Sequence, residues 1–136
     1  MKSPEFVLRA ALVASGPVSA LVGSRIYPIL APQTAALPVI IWRRSGISRD
    51  HSLSGPIGTP TVSVEMQLLA ETYEQVRDLS DKVRQVLDGY GGTLNNTEVK
   101  HVYLDQEADD FVQLAGGDLP PVYQVTQTYN VIWQET

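Results

Sequence analysis

Arg49, Asp50 and His51 stand side by side, and an acid beside an imidazole is raw material for general acid–base catalysis. His101 and Tyr103 make a second titratable pair two residues apart. Neither pair has a nucleophile and an orienting partner attached to it, and neighbours in sequence do not aim at one target. Asp105, Glu107, Asp109 and Asp110 have the look of oxygen ligands for calcium. Counted from Asp105, however, Asp110 falls where the loop requires its glycine and Gly116 where it requires its glutamate. A solvated acidic loop is the expectation. The glycines at 46, 55, 58, 91, 92, 116 and 117 build no phosphate cradle, because none leads into Gly-Lys-Ser/Thr or sits between a strand and a helix. Arg43-Arg44 is the one basic doublet. It fits either a solvated strand end or a contact to a phosphate or a partner's carboxylate. No catalytic residue, cofactor or metal site is expected.

The elements that carry these residues follow from periodicity and punctuation. Ser3-Pro4-Glu5 is a helix start: a hydroxyl cap, proline in the first turn, and an acid at the positive end. Val7, Leu8, Ala11 and Leu12 then share a face, while Glu5 and Arg9 stand in the stabilising i, i+4 order. Gly16-Pro17 is expected to close that helix, with one further turn over 18–22 stopped by Gly23. Residues 25–29 suit a brief strand inside a proline-rich connector. The apolar run Val39-Ile40-Ile41-Trp42 reads as an interior strand covered on both faces. A long polar loop over 45–59 follows, longer than a hairpin needs and therefore a candidate for function. Val62, Val64, Met66 and Leu68 alternate with Thr61, Ser63, Glu65 and Gln67, so this strand returns as the second arm of an extended hairpin.

Residues 72–88 form the best helix. Thr72 and Gln75 suggest a capping box, Val76, Leu79, Val83, Val86 and Leu87 make the apolar stripe, and Gly89 supplies the stop. Turns at Gly91-Gly92 and Asn95-Asn96 lead to a strand over 98–104. After the acidic, turn-rich stretch 105–118, a final strand alternates Tyr123, Val125, Tyr129, Val131 and Trp133 against polar neighbours, with Gln127 interrupting the apolar set. The expected fold is a single α+β domain over 1–136: a mainly antiparallel sheet, helices packed on one face, and an extended β-hairpin.

Composition narrows the function. The 136 residues carry a net charge of −5, against the basic balance of a nucleic-acid binder. No cysteine and only two histidines are present, which removes disulfides, thiol nucleophiles and histidine-rich metal clusters. No apolar run nears the ~20 residues of a membrane span, and Glu5 and Arg9 spoil any signal-peptide reading of the N-terminus. An intracellular protein is expected, with no membrane partner.

Five pieces in order then resemble one family. Ala20-Leu21-Val22-Gly23-Ser24-Arg25-Ile26-Tyr27-Pro28 is similar to the opening of the tail completion proteins of long-tailed phages, relatives of tail terminators and head–tail joining proteins. Leu37-Pro38-Val39-Ile40-Ile41 resembles that family's entry into its first long strand, and Leu53-Ser54-Gly55 its hairpin Leu-x-Gly. The strand segment Val64–Tyr73, ending in Ala70-Glu71-Thr72-Tyr73, and the helix segment Val76–Leu87 after it resemble its central part; where the family carries tryptophan just before Ala-x-Thr-Tyr, this chain has Leu69.

The resemblance implies a non-enzymatic virion protein of the tail or neck, made in the host cytoplasm. It implies a cap that ends tail-tube polymerisation, a joining surface for the head connector, and a homo-oligomeric ring of six. The expected partners are further copies of the chain, the tube protein and the head-closure protein, with DNA passing through the lumen without specific binding. Arg43, Arg44, Arg49, Asp50, His51 and Leu53 are the candidate assembly contacts. The alternatives are another neck component, such as a head-closure subunit, and a small cytosolic α+β enzyme or ligand binder built around His51.

Overall fold

The computed structural model describes residues 4–29, 37–48, 51–52, 55–56, 60–94, 97–112 and 122–134. Helix α1 (Pro4–Ala14) buries Val7, Leu8 and Leu12. Its expected cap, Ser3, lies outside the described residues. Gly16-Pro17 does end α1, but it also opens α2 (Gly16–Val22), where Ser15 Oγ accepts from Val18 N. Proline is tolerated there because first-turn N–H groups have no intrahelical partner. The two helices meet at a bend of 87°, and no single helix among the described residues is long and apolar enough to cross a membrane. Glu5 and Arg9 do not pair with each other as expected. Glu5 accepts from Arg44, and Arg9 Nε donates to the Ile26 carbonyl at 3.2 Å.

Strands β1 (Ile26–Pro28), β2 (Val39–Ser48), β5 (Thr61–Ala70), β6 (Gly92–Leu94), β7 (Thr97–Val112) and β8 (Val122–Gln134) form one sheet in the order β1-β2-β5-β8-β7-β6. Only the β1–β2 pair is parallel. The α+β expectation and the hairpin both hold. β2 runs four residues into the expected loop, to a register pair of Ser48 with Thr61, where β5 begins as expected. Beyond them, β3 (His51–Ser52) and β4 (Gly55–Pro56) make a separate two-stranded ladder. The both-faces burial expected of Val39–Trp42 holds for Val39, Ile40 and Trp42, which are buried, and in part for Ile41, which is half-buried; beyond that run, residues 43–47 are exposed.

The acidic stretch is a strand rather than a loop from residue 105 to 112. Its alternation is hidden in the sequence by register shifts between Val99 and His101 and between Leu104 and Gln106. Each shift inserts a residue and moves the side chains that follow to the other face. Carboxylates are tolerated there because Ala108, Asp109 and Asp110 are exposed and Arg77 reaches Glu107 and Asp109 at 2.8 and 3.2 Å. Residues 113–121 and the expected turn at Asn95-Asn96 lie outside the described residues.

Helix α3 (Tyr73–Leu87) crosses β5, β8 and β7 and buries Val76, Leu79, Val83 and Leu87. Thr72 Oγ1 accepts from Gln75 N at 3.1 Å. The return half of the capping box is displaced by one residue, since Gln75 Oε1 accepts from Glu71 N. Gly89 follows at φ 84°, the left-handed conformation that stops helices at low cost. Beneath α3, Val62, Val64, Met66 and Leu68 of β5 and Val125, Tyr129 and Val131 of β8 are fully buried. The opposite face of β5 and β8 is half-buried and polar, cross-linked by Ser63 Oγ donating to Asn130 Oδ1 at 2.9 Å.

Helix α1 touches α2 and α3 and also β6 and β7, at one edge of the sheet. Through Arg9 and Glu5 it is tied to β1 and β2, at the other edge. The sheet therefore curls around the helices, with α1 lying across the opening. The outer edge of β1 is blunted, because the Ile26 carbonyl is taken by Arg9 and Pro28 has no N–H.

Candidate assembly site

The N-terminal turn of α1 sits over β2 where the hairpin leaves the body of the domain. Glu5 is 4% exposed, and a carboxylate that deep needs a partner. Arg44 of β2 supplies it through Nε. Arg43 points to the opposite face of the sheet and donates through Nη2 to Glu65 Oε2 at 3.1 Å, with half of its side chain in water. Alternation along β2 thus sends the two arginines to two faces, each with one carboxylate.

Between them, Trp42 is nearly buried and meets Phe6 edge-on, ring centroids 5.6 Å apart. Edge-on aromatic pairs add about 0.5–1.5 kcal/mol beyond their buried area. The Trp42 carbonyl accepts from Ile29 N at 2.8 Å, and Ile29 takes a φ of 65°. A β-branched residue in the left-handed region is strained, so the contacts around Ile29 must hold it there. The side chain is nevertheless 68% exposed, and Phe6 45%.

These residues enclose an open cleft of about 520 Å³ whose walls are Phe6, Pro28, Ile29 and Trp42 and whose rim is Arg43, Arg44 and Glu5. The Trp42 indole N–H has no hydrogen-bond partner among the described residues. A polar group left unpaired at such depth is costly. The cleft therefore combines the exposed apolar surface of Phe6 and Ile29 with the Glu5–Arg44 ion pair, a combination suited to a protein segment carrying an apolar side chain.

Of the six expected contact residues, the structure brings Arg43 and Arg44 to this cleft. His51 lies apart, its backbone paired to Pro56 in the small β3–β4 ladder. Arg49, Asp50 and Leu53 fall outside the described residues. His101 and Tyr103 stack at 6.2 Å on the exposed surface of β7. Among the described residues, no group of three or more His, Asp or Glu side chains is placed to hold a metal ion. Sequence reasoning missed Phe6, Ile29 and Trp42 as site residues. Phe6 was legible as the large apolar residue lying off the Val7–Leu8–Leu12 stripe, whereas nothing in the sequence marks Ile29 as exposed.

Residues 7–133 match the family described as Tail completion protein gp17. Among solved structures, one chain of a gene transfer agent virion particle superposes with a TM-score of 0.75 at 12% identity, over 93% of this chain and 91% of that one. That likeness is one of fold. No curated protein matches. The family match runs from α1 through the last strand, so the chain belongs to the tail completion proteins, structural proteins of the virion tail and neck.

Proposed function

We propose that this protein caps the phage tail tube as a homo-oligomeric ring, ends tube polymerisation and offers the joining surface to the head connector. The role is structural and non-enzymatic. The observation that carries it is the cleft at the hairpin root, an exposed apolar and basic surface on a chain of the tail completion family. Arg43, Arg44, Arg49, Asp50, His51 and Leu53 are its proposed contacts to the tube protein and the head-closure protein. Hexameric closure suits a head-to-tail interface, in which one patch meets a different patch on the next copy. Each copy brings a charge of −5, and an acidic ring would let DNA pass without gripping it.

Deleting the gene from the phage and imaging the tails tests the proposal. Overlong tails, or tails without heads, are expected. Tails of normal length joined to filled heads would refute it. Reversing acidic residues of the ring lumen is expected to slow DNA ejection, and unchanged ejection would remove the electrostatic part.

A further inference from the structure

We infer that the β1 flank of one copy packs against the start of α3 in a second copy, with Ile29 set on the Tyr73 ring and Arg9 and Arg25 facing Glu71 and Glu74. The inference rests on the ring proposed above and assigns its lateral contact.

Each side offers one apolar contact that is already held in place. Ile29 is 68% exposed, and its backbone is kept at φ 65° by the bond from Ile29 N to the Trp42 carbonyl. Strain of that kind persists only where the surroundings impose it, and it clusters at binding surfaces. Tyr73 is 48% exposed, yet its hydroxyl donates to Asp109 at 2.9 Å and its ring meets Tyr123 edge-on at 6.2 Å. An aromatic ring fixed before contact loses little entropy on binding.

The charges around the two residues are complementary. Near Ile29 the pairs Glu5–Arg44 and Arg43–Glu65 cancel. Arg9 and Arg25 are left over. Arg9 bonds the Ile26 carbonyl, Arg25 bonds those of Pro38 and Leu21, and neither meets a carboxylate among the described residues. Beside Tyr73 the balance is reversed. Glu71 and Glu74 are exposed and have no basic partner among the described residues. Arg77, one turn further along α3, is shared by Asp81, Glu107 and Asp109. Opposite surplus charge on two flanks steers their encounter and fixes its register.

Placement suits a lateral contact. β1 ends one side of the sheet. On the other side β6 covers β7 only at residues 97–99, so beside Asp109 β7 is the outermost strand among the described residues. Ile40 pairs with Leu68, Leu68 with Val125, and Val125 with Asp109. Ile29 is bonded at Trp42, two residues along β2 from Ile40, so the two flanks differ in height by about 7 Å. One patch meeting a different patch at nearly equal height repeats by rotation and closes.

The absence of native cysteine makes the test direct. Phage carrying Ile29→Cys and Glu74→Cys in one chain is assembled, and purified tails are treated with a short bismaleimide. A covalent ladder up to the ring is expected from the double variant, and none from either single variant. Cross-linking of Ile29→Cys to the tube or head-closure protein, or normal tails without a ladder, would overturn the contact.

Charge exchange keeps the test open if the cysteine chain assembles poorly. Aspartate accepts the left-handed conformation better than isoleucine, so the isolated Ile29→Asp subunit should melt no lower than the parent. In phage, Ile29→Asp and Glu74→Lys should each lower the titre by about tenfold, and together recover most of it. A single variant without effect, or a double variant no better than the singles, overturns the inference. Either failure leaves the capping role standing, because that role is read from tail length in the deletion phage.

Discussion

Tyr129 Oη donates to Gln127 Oε1 at 2.7 Å, two residues back on the same strand, and Gln127 Nε2 donates to the Ser80 carbonyl at 3.0 Å. Ser80 on α3 and the two residues of β8 are all fully buried. The one polar residue that interrupts the apolar alternation of β8 is therefore a satisfied core residue joining sheet to helix. Gln127→Leu keeps the size but strands the Tyr129 hydroxyl, while the Ser80 carbonyl keeps its place in the helical ladder of α3. It should cost about 1–3 kcal/mol in urea unfolding, the penalty for one unpaired buried group. Adding Tyr129→Phe should recover about 1 kcal/mol of that loss, measured as the coupling of a double-mutant cycle.

Burial pushes the Tyr129 phenol far above its ordinary range. Tyr73 is raised too, first by its hydrogen bond to Asp109. A phenol whose pKa is raised in the folded state ionises first in the unfolded chain, so its ionisation favours unfolding. Stability is intact below about pH 10 and falls above it, because the unfolded state there binds fewer protons. Tyr129 alone should contribute a slope of about 1.4 kcal/mol per pH unit above pH 10. In Tyr129→Phe that slope should be shallower by this amount; an unchanged slope would mean the phenol is not kept neutral.

Arg77 links α3 to β7 through Glu107 and Asp109, and one third of its side chain is exposed. Solvent screening limits the worth of such bridges. Arg77→Ala should therefore lower stability by only about 1 kcal/mol at low salt, and by less in 1 M salt. A loss of several kcal/mol, unaffected by salt, would point to lost packing instead.

Glycine positions separate strain from space. Gly89 has φ 84°, with nothing close to where a Cβ would stand, while Gly16 has open space and no positive φ. Gly89→Ala should cost about 1–2 kcal/mol through backbone strain alone. Gly16→Ala should be neutral or slightly stabilising in the same thermal melt.

Leu79 is fully buried on the stripe of α3. Leu79→Ala should cost about 2–5 kcal/mol, and an unmoved urea midpoint would contradict the docking of α3 on the sheet.

Helix α3 and strand β5 were legible because each presents one clean period, with punctuation at both ends in Thr72 and Gly89. β7 was not. Its two register shifts break the period of two, and four carboxylates in six residues imitate a loop. The pairing that makes it a strand comes from β8, which no local signal in residues 105–112 reveals. The site was half legible for the same reason. Arg43 and Arg44 announce themselves as a doublet, but the cleft exists only because α1 folds back onto β2. That return is specified by Glu5, which the sequence pairs more naturally with Arg9.

The position of α1 across both edges of the sheet also dictates the order in which the chain can finish folding. Val7, Leu8 and Leu12 leave the ribosome early, yet β6 and β7, which help to cover α1, belong to the second half of the sequence. Non-local pairing of this kind is slow, and its unburied apolar surface invites aggregation or a chaperone. A nascent chain halted before Gly92 therefore presents an incompletely covered helix. The subunit becomes safe to accumulate in a crowded cell only when its last strands have closed over its first helix.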